Sequence, residues 1–241
     1  MPTVAELTDL YGNFMLNPVP GPGVCRFCFN LTDGFTLCYA CAHGEAHLAA
    51  MAPISYSASG GQLHHALAGY KRLSGSPARR MSVELAAVLW RYLSAHESCL
   101  AHAAEVEGFT LVATVPSGDR ARDAGNPLRR IVSELTGPTR ERHERLLRRS
   151  ALDVGERALD AGKYEATRQL SGEAVLLIDD TWTTGANAQS AAAALRDAGA
   201  RAVAALVVGR YLNREWREND RRLRGLPRPF DWASCAHHGE R

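Results

Sequence analysis

The sequence predicts an α/β protein with a twisted, mostly parallel sheet flanked by helices, and a small cysteine-rich module ahead of it. Three observations carry that prediction. Val175-Leu176-Leu177-Ile178 and the run from Ala202 to Val208 are apolar throughout, as strands buried on both faces of a parallel sheet are. An Ala-rich helical stretch at about 187–198, ended by Gly199, joins them into a βαβ unit whose crossover should be right-handed. A third apolar run, Phe109 to Val115, stops at Pro116-Ser117-Gly118-Asp119.

The other elements follow in chain order. Val4 to Leu10 has weak helical spacing and ends in the breaker run Asn17-Pro18-Val19-Pro20-Gly21-Pro22-Gly23. Residues 24–50 hold four cysteines. Ile54-Ser55-Tyr56 is a short strand candidate, and Leu63, Leu67 and Tyr70 share one helical face after Gly60-Gly61. A strong helix is expected at about 81–105, where Val83, Leu85, Ala86, Leu89, Trp90 and Leu93 form a wide stripe. Another starts near Pro127, covers Leu128, Ile131, Val132 and Leu135, and ends at Gly137-Pro138. Residues 139–170 are polar and Arg-rich, which reads as a solvated helix of mixed charge, with a mobile active-site loop as the alternative. The segments thus fall into 1–23, a cysteine module at 24–50, an α/β domain at 51–215, and a basic, irregular tail at 216–241.

Composition narrows the classes. Of 241 residues, 46% are hydrophobic and 22% charged, which excludes whole-chain disorder. No run of about 18 apolar residues is present, so no spanning helix is expected. The start lacks a basic segment followed by an apolar one, and the cytoplasm is the expected compartment. The net charge of +2 and pI near 8.3 fall short of a nucleic-acid footprint, for which the pI usually exceeds about 9. All but two of the 28 basic residues are arginine, so Lys71 and Lys163 stand out.

Cys25-x-x-Cys28 and Cys38-x-x-Cys41 make two knuckles separated by nine residues, with Asp33-Gly34 available for the turn between them. Four thiolates at this spacing suit a closed tetrahedral Zn²⁺ site of structural type. An iron–sulfur centre is the lesser alternative. Cys99 reads as a small core residue. Cys235-Ala236-His237-His238 is a weaker metal-like cluster in what reads as a disordered tail.

The most informative stretch is Asp179-Asp180-Thr181-Trp182-Thr183-Thr184-Gly185-Ala186, between a buried strand and a helix. Such a loop opens toward the ligand side of an α/β sheet. A glycine, converging amide groups, a helix N-terminus and the hydroxyls of Thr181, Thr183 and Thr184 suit a phosphate. Asp179 and Asp180 cannot bind phosphate, but they can accept hydrogen bonds from vicinal ribose hydroxyls. Trp182 reads as packing under the loop rather than facing a ligand.

These residues, from Val175 to Ala186, resemble the phosphoribosyl pyrophosphate (PRPP) motif of type I phosphoribosyltransferases: four apolar residues, two acids, two variable positions, Thr-Thr-Gly and a small residue. The cysteine module upstream of Ser55-Tyr56, Gly61 and Leu67-Ala68-Gly69-Tyr70-Lys71 is similar to that of ComF-type proteins, which are associated with DNA uptake. The stretch Arg122-Asp123-Ala124-Gly125-Asn126-Pro127 departs from their usual Arg-Gly-Phe-Asn-like pattern.

The resemblance implies a type I phosphoribosyltransferase-like fold. It implies transfer of phosphoribosyl from PRPP to a nitrogen base or amine with release of pyrophosphate, aided by Mg²⁺. Asp179 and Asp180 take the catalytic place in that reading, and Ser117, Gly118, Asp119 and Arg120, with Lys71, match the pyrophosphate position. A mobile loop within 139–170 would bring Lys163 or Arg168 to the leaving group, and Tyr211 could stack on a base. Relatives are often homodimers. The competing reading is a non-enzymatic binder: a PRPP or nucleotide sensor, or a DNA-uptake accessory that holds single-stranded DNA. No membrane partner is expected.

Overall fold

The computed structural model describes residues 2–117, 123, 125–152, 154–155 and 158–237. Its elements in chain order are α1 (Val4–Gly12), α2 (Tyr39–His43), β1 (Ala50–Ala58), α3 (Gln62–Arg72), α4 (Gly75–Ala103), β2 (Leu111–Thr114), α5 (Pro127–Arg130), α6 (Gly137–Arg140), β3 (Leu147–Arg149), β4 (Tyr164–Ala166), β5 (Ala174–Trp182), α7 (Ala186–Asp197), β6 (Ala202–Leu212) and α8 (Asn219–Arg224). Helix α5 runs on into a π-helical turn, Ile131–Leu135.

Four strands form a parallel sheet in the order β1-β6-β5-β2. The alternation of a strand sends successive side chains to opposite faces, and both faces are covered. Leu176 and Ile178 join a core with α1, α3 and α4. Val175 and Leu177 join a second core with α7, the cysteine module and the β3–β4 hairpin. The expectation of an α/β fold with a parallel, doubly covered sheet holds. No helix among the described residues is long and apolar enough to cross a membrane.

Three expectations are corrected. Strand β5 does not stop at Ile178 but continues to Trp182, because β6 also runs on and pairs Thr181 with Gly209 and Trp182 with Arg210. The described residues of 139–170 form no long helix. They contain the antiparallel pair β3–β4, whose register sets Leu147 opposite Ala166 and Arg149 opposite Tyr164. The tail is not disordered over its described part: Leu223, Phe230, Cys235 and Ala236 are buried, and His237 Nε2 lies 3.0 Å from the Met51 carbonyl. His238 lies outside the described residues. Along the α4 stripe, Leu85, Ala86, Leu89 and Leu93 are buried as expected, while Val83 and Trp90 are exposed.

Helix α3, which brings Lys71 to the sheet, lies close to β1 and β6 at Gly209. A Cβ at that position would stand 2.7 Å from Leu67 Cδ1 and 2.8 Å from Ser57 Cβ. Gly209→Ala is therefore expected to cost about 1–3 kcal/mol through overpacking. Urea unfolding of the two proteins measures it, and an unchanged midpoint would contradict this packing.

Candidate functional site

The carboxyl ends of β2 and β5, the end of α3 and the start of α7 surround a cavity of about 450 Å³. Its lining includes Lys71, Ser117, Asp179, Asp180, Thr181 and Asn187. Five residues singled out from the sequence therefore meet in one place.

Each is positioned by its element. Asp179 and Asp180 are the late residues of β5, placed there by the pairing with β6. Asp180 is buried, and its backbone amide donates to Asp179 Oδ1 at 2.9 Å. Lys71 sits in the last turn of α3, with Nζ 2.6 Å from Asp180 Oδ2. Burial pushes the Asp179 carboxyl well above the usual 3.8, and the negative charge of Asp180 adds to this against the opposing charge of Lys71. Tyr70, beside Lys71 in sequence, is buried. Its phenol is pushed well above the ordinary 10.0 by burial and by the charges of Asp180 and Asp179.

Ser117 is held on the other side. Its backbone amide donates to Asp123 Oδ1 at 3.0 Å, and Asp123 Oδ2 in turn accepts from Arg145 at 2.8 Å. The remaining members of the expected pyrophosphate loop, Gly118, Asp119 and Arg120, lie outside the described residues.

The threonine loop divides. Thr181 lines the cavity with the two acids, and Thr183 is exposed. Thr184, Gly185, Ala186 and Trp182 line a second cavity of about 360 Å³ with Phe27, Cys41 and other residues of the cysteine module. Thr184 Oγ1 accepts from the Ala186 amide at the start of α7. Gly185 has φ +87°, and a Cβ there would meet the Trp182 ring. Trp182 is accordingly packed under the loop, as its sequence position indicates, with its ring 6.3 Å from that of Phe27.

One expectation about a basic residue is corrected. Lys163 is neither solvated nor aimed at a leaving group. It is buried on the hairpin, where Nζ donates to the Gly155 and Ala158 carbonyls. Arg168 pairs with Glu144 and Glu173. Tyr211 lies 5.6 Å from the His64 ring, centroid to centroid.

Asn187, Asn126 and Tyr70 were not singled out from the sequence as site residues. Asn187 and Asn126 line the cavity, and Asn187 Oδ1 is buried without a hydrogen-bond partner. Asn187 could have been noticed as the first polar residue of a helix that follows a phosphate-type loop. Tyr70 could have been noticed as the neighbour of one of only two lysines.

The sulfurs of Cys25, Cys28, Cys38 and Cys41 lie within 4.8 Å of one another, a group that can hold a metal ion such as zinc. Hydrogen bonds from Cys28, Cys38 and Cys41 hold the Cys25 thiol far below its ordinary 9.0, while the same crowding pushes Cys41 up. A bound cation would take the place of those shared protons.

Buried Arg210 links this module to the loop. Its Nε donates to the Cys28 carbonyl at 2.9 Å, and its NH1 donates to the carbonyls of Trp182, Thr183 and Tyr211. Gln189 on α7 accepts from the His47 and Leu48 amides and ties down the module's exit.

No family model, curated protein or solved structure matches this chain.

Two substitutions probe the site. Arg210→Met leaves four carbonyls without their donor and should cost at least about 2 kcal/mol in urea unfolding. A loss below about 0.5 kcal/mol would show that the link contributes little. For Asp179, whose folded pKa is raised, the carboxyl's contribution to stability is fully present below 3.8 and is lost as pH rises through the higher folded value. Asp179→Asn should therefore raise the melting temperature at neutral pH, with the gain disappearing near pH 3.8. A destabilised variant at neutral pH would contradict the reading.

Proposed function

We propose that the protein binds PRPP and transfers its phosphoribosyl group to a nitrogen acceptor, releasing pyrophosphate. One observation carries this reading: Asp179, Asp180 and Thr181 share a cavity of about 450 Å³ with Lys71 and Ser117 at the carboxyl ends of parallel strands. That volume suits a metabolite-sized ligand. The same sequence stretch resembles the PRPP motif of type I phosphoribosyltransferases.

In this reading the acid pair accepts the two ribose hydroxyls. Its negative charge lies beside a sugar that becomes cation-like as the bond at C1 breaks. Lys71 exchanges its partner Asp180 for the pyrophosphate oxygens, and the hydroxyl of Ser117 donates to the same group. Thr181, which lines the cavity, and Asn187 at the start of α7 hold the 5′-phosphate. Positioning and electrostatics supply the rate; no covalent intermediate with the chain is needed. The adjacent carboxylates and the ligand's own oxygens are the hard donors Mg²⁺ takes, and Mg²⁺ would neutralise pyrophosphate charge. Zn²⁺ is the ion we assign to the four cysteines, in a closed structural site that holds the module against the loop.

Calorimetric titration of PRPP with and without Mg²⁺, on wild type and Asp180→Asn, tests the proposal. Mg²⁺-dependent binding, weakened at least about tenfold by the substitution, is expected, roughly 1.4 kcal/mol or more. Pyrophosphate release with one member of a panel of bases would establish transfer. Binding without turnover across the panel would mark a sensor instead. No binding at millimolar PRPP would reject the site.

A further inference from the structure

Helix α4 carries Tyr92, His96 and Cys99 at i, i+4 and i+7, a single stripe of a helix. All three are buried. A stripe facing an interior is ordinarily apolar, yet this one presents a phenol, an imidazole and a thiol. The C-terminal segment brings a fourth group, Cys235, also buried.

One ring nitrogen of His96 and the sulfurs of Cys99 and Cys235 lie within 4.8 Å of one another. The Tyr92 ring is 4.9 Å from the His96 ring, and its hydroxyl lies near the Cys235 thiol. His96 Nε2 donates to the Trp232 carbonyl at 2.8 Å. A carbonyl can only accept, so the proton is on Nε2 and the lone pair on Nδ1. Proteins orient metal-binding imidazoles in this way.

Other contacts bring the segment to this position. The Phe230 amide donates to the Gly12 carbonyl, and Asp231 and Asn17 exchange two hydrogen bonds. The Arg91 guanidinium lies 4.4 Å from the centre of the Trp232 ring. The donor set is thus assembled by the fold rather than by an ion.

We propose that His96, Cys99 and Cys235 form a second metal site, which takes Zn²⁺ and fastens the C-terminal segment to α4. Two thiolates and an imidazole are a Cys₂His set that Zn²⁺ favours. Sulfurs sharing one tetrahedral zinc are about 3.8 Å apart, so little movement is needed. Binding releases one proton from each thiol, and the Tyr92 oxygen or a water completes the shell. Because the group is buried, the ion has a structural role.

The test is the zinc content of the full chain, purified without chelators and measured by elemental mass spectrometry, for wild type, Cys99→Ser and Cys235→Ser. Each substitution should remove about one zinc ion per chain, whatever the wild-type total, and so whether or not the four-cysteine site is filled. Unchanged zinc in folded variants overturns the proposal. So does a Cys99–Cys235 disulfide found by mass spectrometry of the native protein. If a substitution unfolds the chain, His96→Gln replaces it: loss of about one zinc ion per chain supports the site, and an unchanged count overturns it.

Discussion

A single buried guanidinium joins the two halves of the architecture. Arg210 enters the interior from β6 and spends its donors on carbonyls from three places: the first cysteine knuckle, the end of β5 and its own strand. Carbonyls at the end of a strand have lost their ladder partners and must be satisfied otherwise. Arg210 does this for Trp182 and Thr183, two and three residues after the acid pair. The loop and the module are therefore tied to each other through one residue. Arginine suits the task because its planar fork offers five donors without losing its charge.

The same logic explains the placing of charge. Two adjacent carboxylates at a half-buried strand end repel each other and are costly to desolvate. Lys71 offsets part of that cost from α3, which is why the contact of α3 with Gly209 matters to the site. Asp123 plays the corresponding part across the cavity, where arginines neutralise it and it fixes the Ser117 amide. Of the acids in and around the cavity, Asp180 and Asp123 are already paired with basic side chains. A polyanionic ligand would compete for Lys71 rather than meet bare carboxylates.

Much of the fold was legible because periodicity is a local property. The apolar runs at 175–178 and 202–208 lie in strands buried on both faces, the run at 109–115 holds β2 at Leu111–Thr114, and the stripes of α3 and most of α4 face the core. The four cysteines were legible for the same reason, as their spacing alone brings the sulfurs together. What escaped depends on partners distant in sequence. β5 continues past Ile178 because Gly209 and Arg210 pair with it, and locally the Asp179-Asp180 pair, of a residue type depleted in strands, signals an end. Strands β3 and β4 are three residues each, too short for a period to register. The burial of Cys235 and Ala236 rests on contacts with α4 and the N-terminal segment that no local pattern encodes. Asn187 carries only a weak local signal, its place as the first polar residue of the helix after Gly185-Ala186, and its burial against the cavity depends on distant elements.

The sheet order also has a consequence for how the chain folds as it is made. β1 has one neighbour, β6, and its residue Ala50 lies opposite Ala204. During synthesis β1 emerges early and has no strand to pair with until nearly all of the sheet has been translated. Parallel pairing over such a separation is slow, since the entropy of closing the chain is lost before contacts form. The apolar strand from Ala50 to Ala58 thus spends the interval with both edges unpaired, and a nascent chain of this design has reason to meet chaperones before its last strand arrives.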